Sequence, residues 1–243
     1  MIHQAARITD ICQENYRVKT FTLKLAWPAA RPGQFAMVWL PNVNERPLSL
    51  LDADPVRFTV ARVGEFTTAL HNLRVGNRLW VRGPLGNGFT PSGRHLLLVG
   101  GGYGVAPLHF LARATLNAGS RVSAVIGART RADLLFVDRF AALGIPVVVT
   151  TDDGSAGLPG QVTAGAAHWL ATADPPIDQL AACGPGPMLV ALERLAANRR
   201  LPSQFSWENR MRCGIGICGT CEKDGWLVCS EGPVRSEPGE RRT

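Results

Sequence analysis

No stretch of this chain stays apolar for the roughly 20 residues a helix needs to cross a bilayer, so a helical membrane span is not expected. Lysine is nearly missing. Lys19, Lys24 and Lys223 stand against arginines scattered over Arg7, Arg17, Arg31, Arg57, Arg82, Arg113 and Arg139. The formal net charge is +7, yet no basic stripe forms. Aromatics, 7% of residues, do not interleave with the basic positions, which argues against a nucleic-acid surface. Scattered positive charge suits a nucleotide cofactor or an acidic partner instead. There is no internal repeat, so a repeat array is excluded, and no low-complexity segment. Met1-Ile2-His3-Gln4 opens into a polar–apolar alternation and lacks the pattern of a secretory signal. A cytoplasmic location with reduced thiols is the expectation, and clustered cysteines there bind metal or do chemistry.

What is present begins with cysteine. Four of the six, Cys213, Cys218, Cys221 and Cys229, follow the spacing C-x4-C-x2-C-x7-C. Such a run wraps a [2Fe–2S] cluster, with four thiolates on two irons. Gly214, Gly216 and Gly219 interleave with the ligands and suit a tight loop that points N–H groups at sulfur. Structural zinc is an alternative, but only Cys218 and Cys221 form the C-x2-C knuckle zinc favours. Disulfides are a second alternative. A cluster would make the chain a redox relay; a zinc-stabilised nucleotide-binding protein is the non-redox alternative.

At 243 residues and 46% hydrophobic content, the chain is read as soluble and globular, with room for one large domain or two modest ones. Residues 21–25, 35–40, 48–51, 57–62 and 78–82 read as short strands separated by turn residues, with one short helix over 67–73. That pattern predicts an antiparallel β-barrel. After Pro91 strands and helices alternate. Strands are predicted over 95–99, 121–126, 146–150, 179–182 and 204–207, and helices over 106–118, 131–143, 162–170 and 187–197. Alternation of this kind gives a doubly wound parallel sheet. The predicted division is a barrel over 1–92, an α/β domain over 93–207 and a cysteine segment over 208–243, whose end, 235–243, reads as loose.

Gly100, Gly101, Gly102 and Gly104 follow the first parallel strand and open a helix, the context in which glycines admit a pyrophosphate to the backbone and to the helix N-terminus. Cys183-Gly184 ends a later strand, where Cys183 can lie beside a nicotinamide or be a small buried residue. Asp152 and Asp153 end a third strand, to bond a ribose or cap the turn, and Arg129 ends the second, where the adenosine ribose is met. The two carboxylates beside Arg129 favour NADH over NADPH by repelling a 2′-phosphate. Arg46-Pro47-Leu48-Ser49 enters a barrel strand, where an arginine can hold a phosphate and a hydroxyl a flavin. Ile215, Ile217 and Trp226 near the ligands are candidates for a partner contact or a shield for the cluster.

Together these motifs resemble the ferredoxin reductase superfamily, and within it the electron-transfer subunits of NAD-linked, two-subunit dihydroorotate dehydrogenase. The family's R-P-x-S matches Arg46, Pro47, Leu48 and Ser49, which the resemblance assigns to FAD. It assigns Val60, Ala61 and Arg62 to the flavin, and Thr67 and Thr68 to the FAD pyrophosphate in place of a Gly-Thr pair. L-L-V-G-G-G-x-G-x-x-P matches Leu97 to Pro107, T-T-D-D-G-S matches Thr150 to Ser155, and C-G-x-x-x-M matches Cys183 to Met188, with Gly184 and Met188 at the cofactor. E-x-R-M-x-C-G-x-G-x-C-x-x-C matches Glu208 to Cys221 and V-C-x-x-G-P-V matches Val228 to Val234. The seven-residue gap before Cys229 departs too, being shorter than in many members, as in archaeal types. The resemblance implies FAD in the barrel with its flavin at the α/β domain, a [2Fe–2S] cluster and NAD. Cys183 and Glu208 then wall the nicotinamide side. The implied partner is an FMN-containing catalytic subunit that oxidises dihydroorotate, in a heterotetramer of two of each chain. A reductase subunit serving a hydrogenase, a sulfide dehydrogenase or a ferredoxin-linked enzyme is the alternative inside the superfamily.

Overall fold

The computed structural model describes residues 2–237. In chain order its elements are β1 (Gln4–Asn15), β2 (Val18–Leu23), β3 (Phe35–Leu40), β4 (Asn44–Ala53), β5 (Val56–Ala61), α1 (Glu65–His71), β6 (Arg78–Leu85), β7 (His95–Gly101), α2 (Val105–Asn117), β8 (Arg121–Ala128), α3 (Val137–Ala142), β9 (Val147–Thr151), β10 (Leu158–Pro159), α4 (Val162–Thr172), β11 (Gln179–Cys183), α5 (Gly186–Asn198), β12 (Ser203–Ser206), β13 (Glu222–Lys223), β14 (Trp226–Leu227) and β15 (Val234–Glu237). Two compact units form. Of the described residues, one holds 2–88 and 209–233, the other 89–208 and 234–237. Among the described residues no helix is long and apolar enough to cross a membrane.

The first unit is a closed barrel in the order β1-β2-β5-β4-β3-β6, with β1 pairing β6 to complete it. Ile8, Phe21, Leu23, Phe35, Met37, Leu50, Phe58 and Leu79 fill its interior. Each such apolar side chain contributes roughly 1.5–3 kcal/mol by leaving water. β4 starts at Asn44, so Arg46 to Ser49 lie within the strand. Along this half β4 pairs only with β3, because β5 joins from Leu50 onward. The open edge is where a strand tolerates Pro47. The cysteine segment belongs to this unit. A Cβ on Gly214 would come 2.9 Å from Met37 Cγ, so the loop lies directly on the barrel.

The second unit is a sheet in the order β10-β9-β8-β7-β11-β12-β15. All its pairs are parallel except β12 with β15. From β7 the chain winds outward through β8 and β9, then returns to β11 on β7's other side. That reversal leaves a crevice at the carboxyl ends of β7 and β11. Leu96, Leu97, Leu98 and Val99 are buried between helices on both faces, which explains the unbroken apolar run.

Three expectations change. The helix over 131–143 divides into a short 3₁₀ turn, Arg131–Asp133, and α3, because Phe136 sits at φ 63 and breaks the turn. That kink buries Leu135 and Phe136. The end of the chain is not loose throughout: Val234–Glu237 forms β15, and residues 238–243 lie outside the described residues. Trp226 is 8% exposed and is a core residue, unavailable to a partner.

Candidate functional site: a cysteine loop, a barrel cleft and a sheet crevice

The four cysteines are brought together by the loop's own backbone. Gly214, Gly216 and Gly219 take φ values of 69, 81 and 69, open to glycine and costly for other residues. They turn N–H groups inward: Gly216 donates to Cys229 Sγ at 3.2 Å, and Cys229 donates to Cys221 Sγ at 3.4 Å. The seven-residue gap folds into the β13–β14 hairpin around Asp224-Gly225, so Val228 N–H reaches Cys221 O at 3.2 Å and Cys229 returns beside Cys221. Asp-Gly between two short strands is a two-residue turn signal. Cys221 and Cys229 are each 2% exposed, Cys213 is half-buried and Cys218 is exposed.

Electrostatics distinguish Cys213 and Cys218 from Cys229. Burial opposes ionisation of Cys213, but N–H groups of Ile215, Cys218 and Ile217 hold its pKa below the usual thiol value. The Thr220 hydroxyl, then the Thr220 N–H, brings Cys218 down to about 6. Burial, then the neighbouring Cys221 thiol, pushes Cys229 up to about 12. No three His, Cys, Asp or Glu side chains close round a single point among the described residues. Two thiol pairs ringed by inward N–H donors fit a two-iron cluster, two thiolates to each iron. A bound metal would deprotonate even Cys229, because its charge would outweigh that thiol's desolvation.

A cleft of ≈ 420 Å³ opens on the same unit along the free edge of β4. Arg46, Pro47, Leu48 and Thr67 line it, as do Asn44, Phe66 and the run Asn209 to Met211. Arg46 is steadied by Asn44, whose Oδ1 accepts its Nη1–H at 2.8 Å. The Thr67 hydroxyl accepts from Val63 N–H at 2.9 Å and Gly64 N–H at 3.0 Å, which fixes the start of α1 at the cleft wall. Apolar surface, two arginines (Arg46 and Arg210) and helix-start amides in a cleft of this size fit a flavin nucleotide. Ser49, Val60, Ala61, Arg62 and Thr68 do not line this cleft. Val60 and Ala61 are buried in β5, and Thr68 is exposed on α1. Asn209 to Met211 escaped notice because they follow Glu208 directly and only folding carries them to β4.

If Arg46 holds a cofactor phosphate, Arg46→Ala removes a charge-assisted contact worth roughly 1.5–3 kcal/mol. Flavin retained per chain after gel filtration is expected to fall at least severalfold. Stoichiometric flavin in the variant would make Arg46 a bystander.

In the second unit, the turns after β7 and β11 press on one another. A Cβ on Gly104 would lie 2.5 Å from Cys183 O, and one on Gly101 2.5 Å from Met188 Sδ. Gly100 is packed on Val105. Gly184 meets Met188 in the same way. Packing therefore demands most of these glycines. Gly102, at φ 55 with no atom within 4 Å of its missing Cβ, leaves the crevice open for a ligand. Cys183 is buried; desolvation, reinforced by Glu208, raises its thiol to about 12, so it sits there as a neutral, unreactive wall. Glu208 is exposed along its length, yet surrounding protein desolvates the carboxyl and raises its pKa. At the ends of β8 and β9, Asp152 N–H donates to Ala128 O and Asp153 N–H to Arg129 O, which brings the two strand ends together at the backbone. The Asp153 carboxylate accepts from Ser155 hydroxyl and N–H, which lower its pKa, so it caps its own turn. Asp152 and Arg129 are exposed.

A barrel with a nucleotide-sized cleft, a doubly wound sheet with an open glycine crevice and a four-thiolate loop together define an iron–sulfur flavoprotein reductase of the ferredoxin reductase type. Residues 208–236 match the iron–sulfur cluster binding domain of dihydroorotate dehydrogenase B. The chain is 43% identical to the probable dihydroorotate dehydrogenase B (NAD(+)), electron transfer subunit, of Methanothermobacter thermautotrophicus, over 96% of this chain and 88% of that protein. Its counterpart in Methanocaldococcus jannaschii is 40% identical over 94% and 87%. The chain belongs to the family of dihydroorotate dehydrogenase B (NAD(+)) electron transfer subunits. Among solved structures, the NADH-dependent reduced ferredoxin-NADP oxidoreductase superposes with TM-score 0.83 at 31% identity, covering 95% of this chain and 87% of that one. The flavohaem-like FAD/NAD binding domain of nitric oxide dioxygenase from Vibrio cholerae shares the fold, with TM-score 0.69 at 20% identity over 80% and 92%.

Proposed function

We propose that this chain carries electrons from the catalytic subunit of a dihydroorotate dehydrogenase B to NAD, holding a [2Fe–2S] cluster and FAD. The observation that carries the reading is the loop over 213–229, whose backbone donors ring four thiols on the barrel that also bears the cleft. When bound, the cluster moves single electrons and the flavin exchanges them with NAD as a hydride. The chain's own residues position and shield. Cys213, Cys218, Cys221 and Cys229 anchor the irons. Arg46 and the start of α1 hold a phosphate, and Pro47, Leu48 and Met211 present apolar surface to the flavin nucleotide. Gly102 leaves room for the dinucleotide, and buried Cys183 keeps water from the sheet end. No general base is needed here, because the substrate's protons are handled in another chain.

The partner we assign is an FMN-containing subunit that oxidises dihydroorotate, two of each chain forming a heterotetramer in the cytoplasm. Ile215 and Ile217, exposed beside the ligands, give that partner apolar surface next to the metal. The deciding experiment mixes the purified chain with that subunit and follows NADH formation from dihydroorotate. The chain alone should reduce dyes with NADH and leave dihydroorotate untouched, while the mixture should form a complex and make NADH. Absence of both complex and activity would move the assignment to another acceptor system, such as that of a ferredoxin-linked reductase.

Preference for NADH is expected from Asp152 and Arg129 at adjoining strand ends, since a 2′-phosphate there meets a carboxylate as well as a guanidinium. Steady-state dye reduction with each nucleotide checks this. A lower KM for NADPH would reverse it and point to Arg129.

A further inference from the structure

We propose that the Thr220 hydroxyl hydrogen-bonds the Cys218 sulfur of the bound cluster and raises its reduction potential. The inference rests on the cluster reading above. Cys218 Sγ lies 3.4 Å from Thr220 Oγ1. Once the sulfur is on iron it carries no proton, so the hydrogen in this contact comes from Thr220. The two residues are placed for it by Gly219, whose φ of 69 turns the chain between them. Thr220 is half-buried while Cys218 is exposed, so the donor is more restrained than the sulfur it serves.

This contact differs in kind from those at the other sulfurs. Cys229 Sγ takes its bond from the N–H of Gly216, and Cys221 Sγ from the N–H of Cys229. Those donors come with the fold and would be present for any side chains compatible with the loop. The hydroxyl at 220 is a choice of residue. It sits in the two-residue gap between Cys218 and Cys221, where a change of side chain leaves the backbone donors in place. The loop therefore has one adjustable donor among its described sulfur contacts, and it is aimed at the ligand nearest solvent.

The direction of the effect follows from charge. Reduction adds one electron, shared between iron and its sulfurs. A donor to thiolate stabilises the more negative state more strongly, so it favours the reduced cluster. Removing it should shift the reduced-to-oxidised ratio at fixed potential by roughly three- to tenfold, and tenfold is about 59 mV for a one-electron couple. A cluster that feeds a flavin gains or loses electron share on that scale, so position 220 is a tuning point for the relay.

The test is potentiometric titration of the full-length chain, loaded with cluster and FAD, read by electron paramagnetic resonance of the reduced cluster. Thr220→Val keeps the shape and removes the hydroxyl, and Thr220→Ser keeps the hydroxyl. The expected result is a lower midpoint in Thr220→Val, a wild-type midpoint in Thr220→Ser, and unchanged flavin midpoints in both. An unchanged midpoint in Thr220→Val at full iron content overturns the proposal. So does an equal fall in Thr220→Ser, which would assign the effect to packing. If Thr220→Val binds no cluster, Thr220→Ala is read by the same criteria. Loss of cluster there too would make Thr220 an assembly residue and overturn tuning. Failure of the underlying reading would look different: wild-type protein would contain no iron or labile sulfide to titrate.

Discussion

Serine in place of Cys221 is expected to strip the chain of iron and labile sulfide while leaving its flavin. Cys221 is 2% exposed and receives the N–H of Cys229. A hydroxyl there is a hard ligand offered to a metal centre that selects soft thiolate. The same loss should follow at Cys213, Cys218 and Cys229, because each sulfur belongs to one of the two pairs and a pair with one member cannot hold its iron. Flavin should survive, since the cleft is lined from β4, the start of α1 and Asn209 to Met211, none of them a ligand. Function should split accordingly. NADH-driven dye reduction should stay near the wild-type rate, while NADH formation from dihydroorotate with the catalytic subunit should fall to background. Iron, sulfide and flavin per chain settle the matter, with zinc assayed alongside. Full iron in all four variants would end the cluster assignment, and zinc in place of iron would return the loop to a structural role.

The parts of this molecule that were plain in the sequence are those whose physics is local. Four thiolates at ligand spacing admit few readings, and the run Leu96 to Val99 is apolar because β7 is covered on both faces. β1 was missed for an equally physical reason. Over its first half only Ala6 and Ile8 are buried, and the pairing with β2 shifts register between Ile8 and Asp10, so the opening alternation is too short to mark a 12-residue strand. β15 is invisible for another reason: Val234 finds Ser206 far back in the chain, and nothing near Val234 announces the partner. The resemblance assigns Thr67 and Thr68 both to the pyrophosphate, and which of them reaches the cleft depends on where α1 begins. With its first turn fixed by Thr67 on the Gly64 N–H, Thr67 lies at the cleft and Thr68 faces away from it. The turn at Asp224-Gly225 did carry a local signal, and it explains how a seven-residue gap can close the cluster loop.

Gly104→Ala is expected to damage the nucleotide unit more than its size suggests. Gly104 has φ −62, a value alanine accepts freely, so backbone preference is not at issue. Space is. The new Cβ would lie 2.5 Å from Cys183 O, 2.7 Å from Cys183 C and 2.8 Å from Gly184 Cα. All three are backbone atoms at the end of β11, and none can rotate aside. Relief requires the turn after β7 to move away from the turn after β11, and those turns form the crevice. Overpacking of this kind costs roughly 1–3 kcal/mol. At about 2–4 °C per kcal/mol for a chain of this size, the unfolding midpoint should drop by several degrees. Gly102, in contrast, sits at φ 55 with no atom near its missing Cβ, so alanine there moves no neighbour; it costs the left-handed conformation, about 1–2 kcal/mol, and its Cβ takes up room proposed for the dinucleotide. Both variants should weaken nucleotide binding, Gly104→Ala by moving backbone and Gly102→Ala by occupying ligand space. Gly104→Ala should raise the KM for NADH roughly tenfold or more, while iron, sulfide and flavin content, which belong to the barrel unit, stay at wild-type levels. A wild-type KM and midpoint in Gly104→Ala would mean that the two turns do not meet as closely as 2.5 Å.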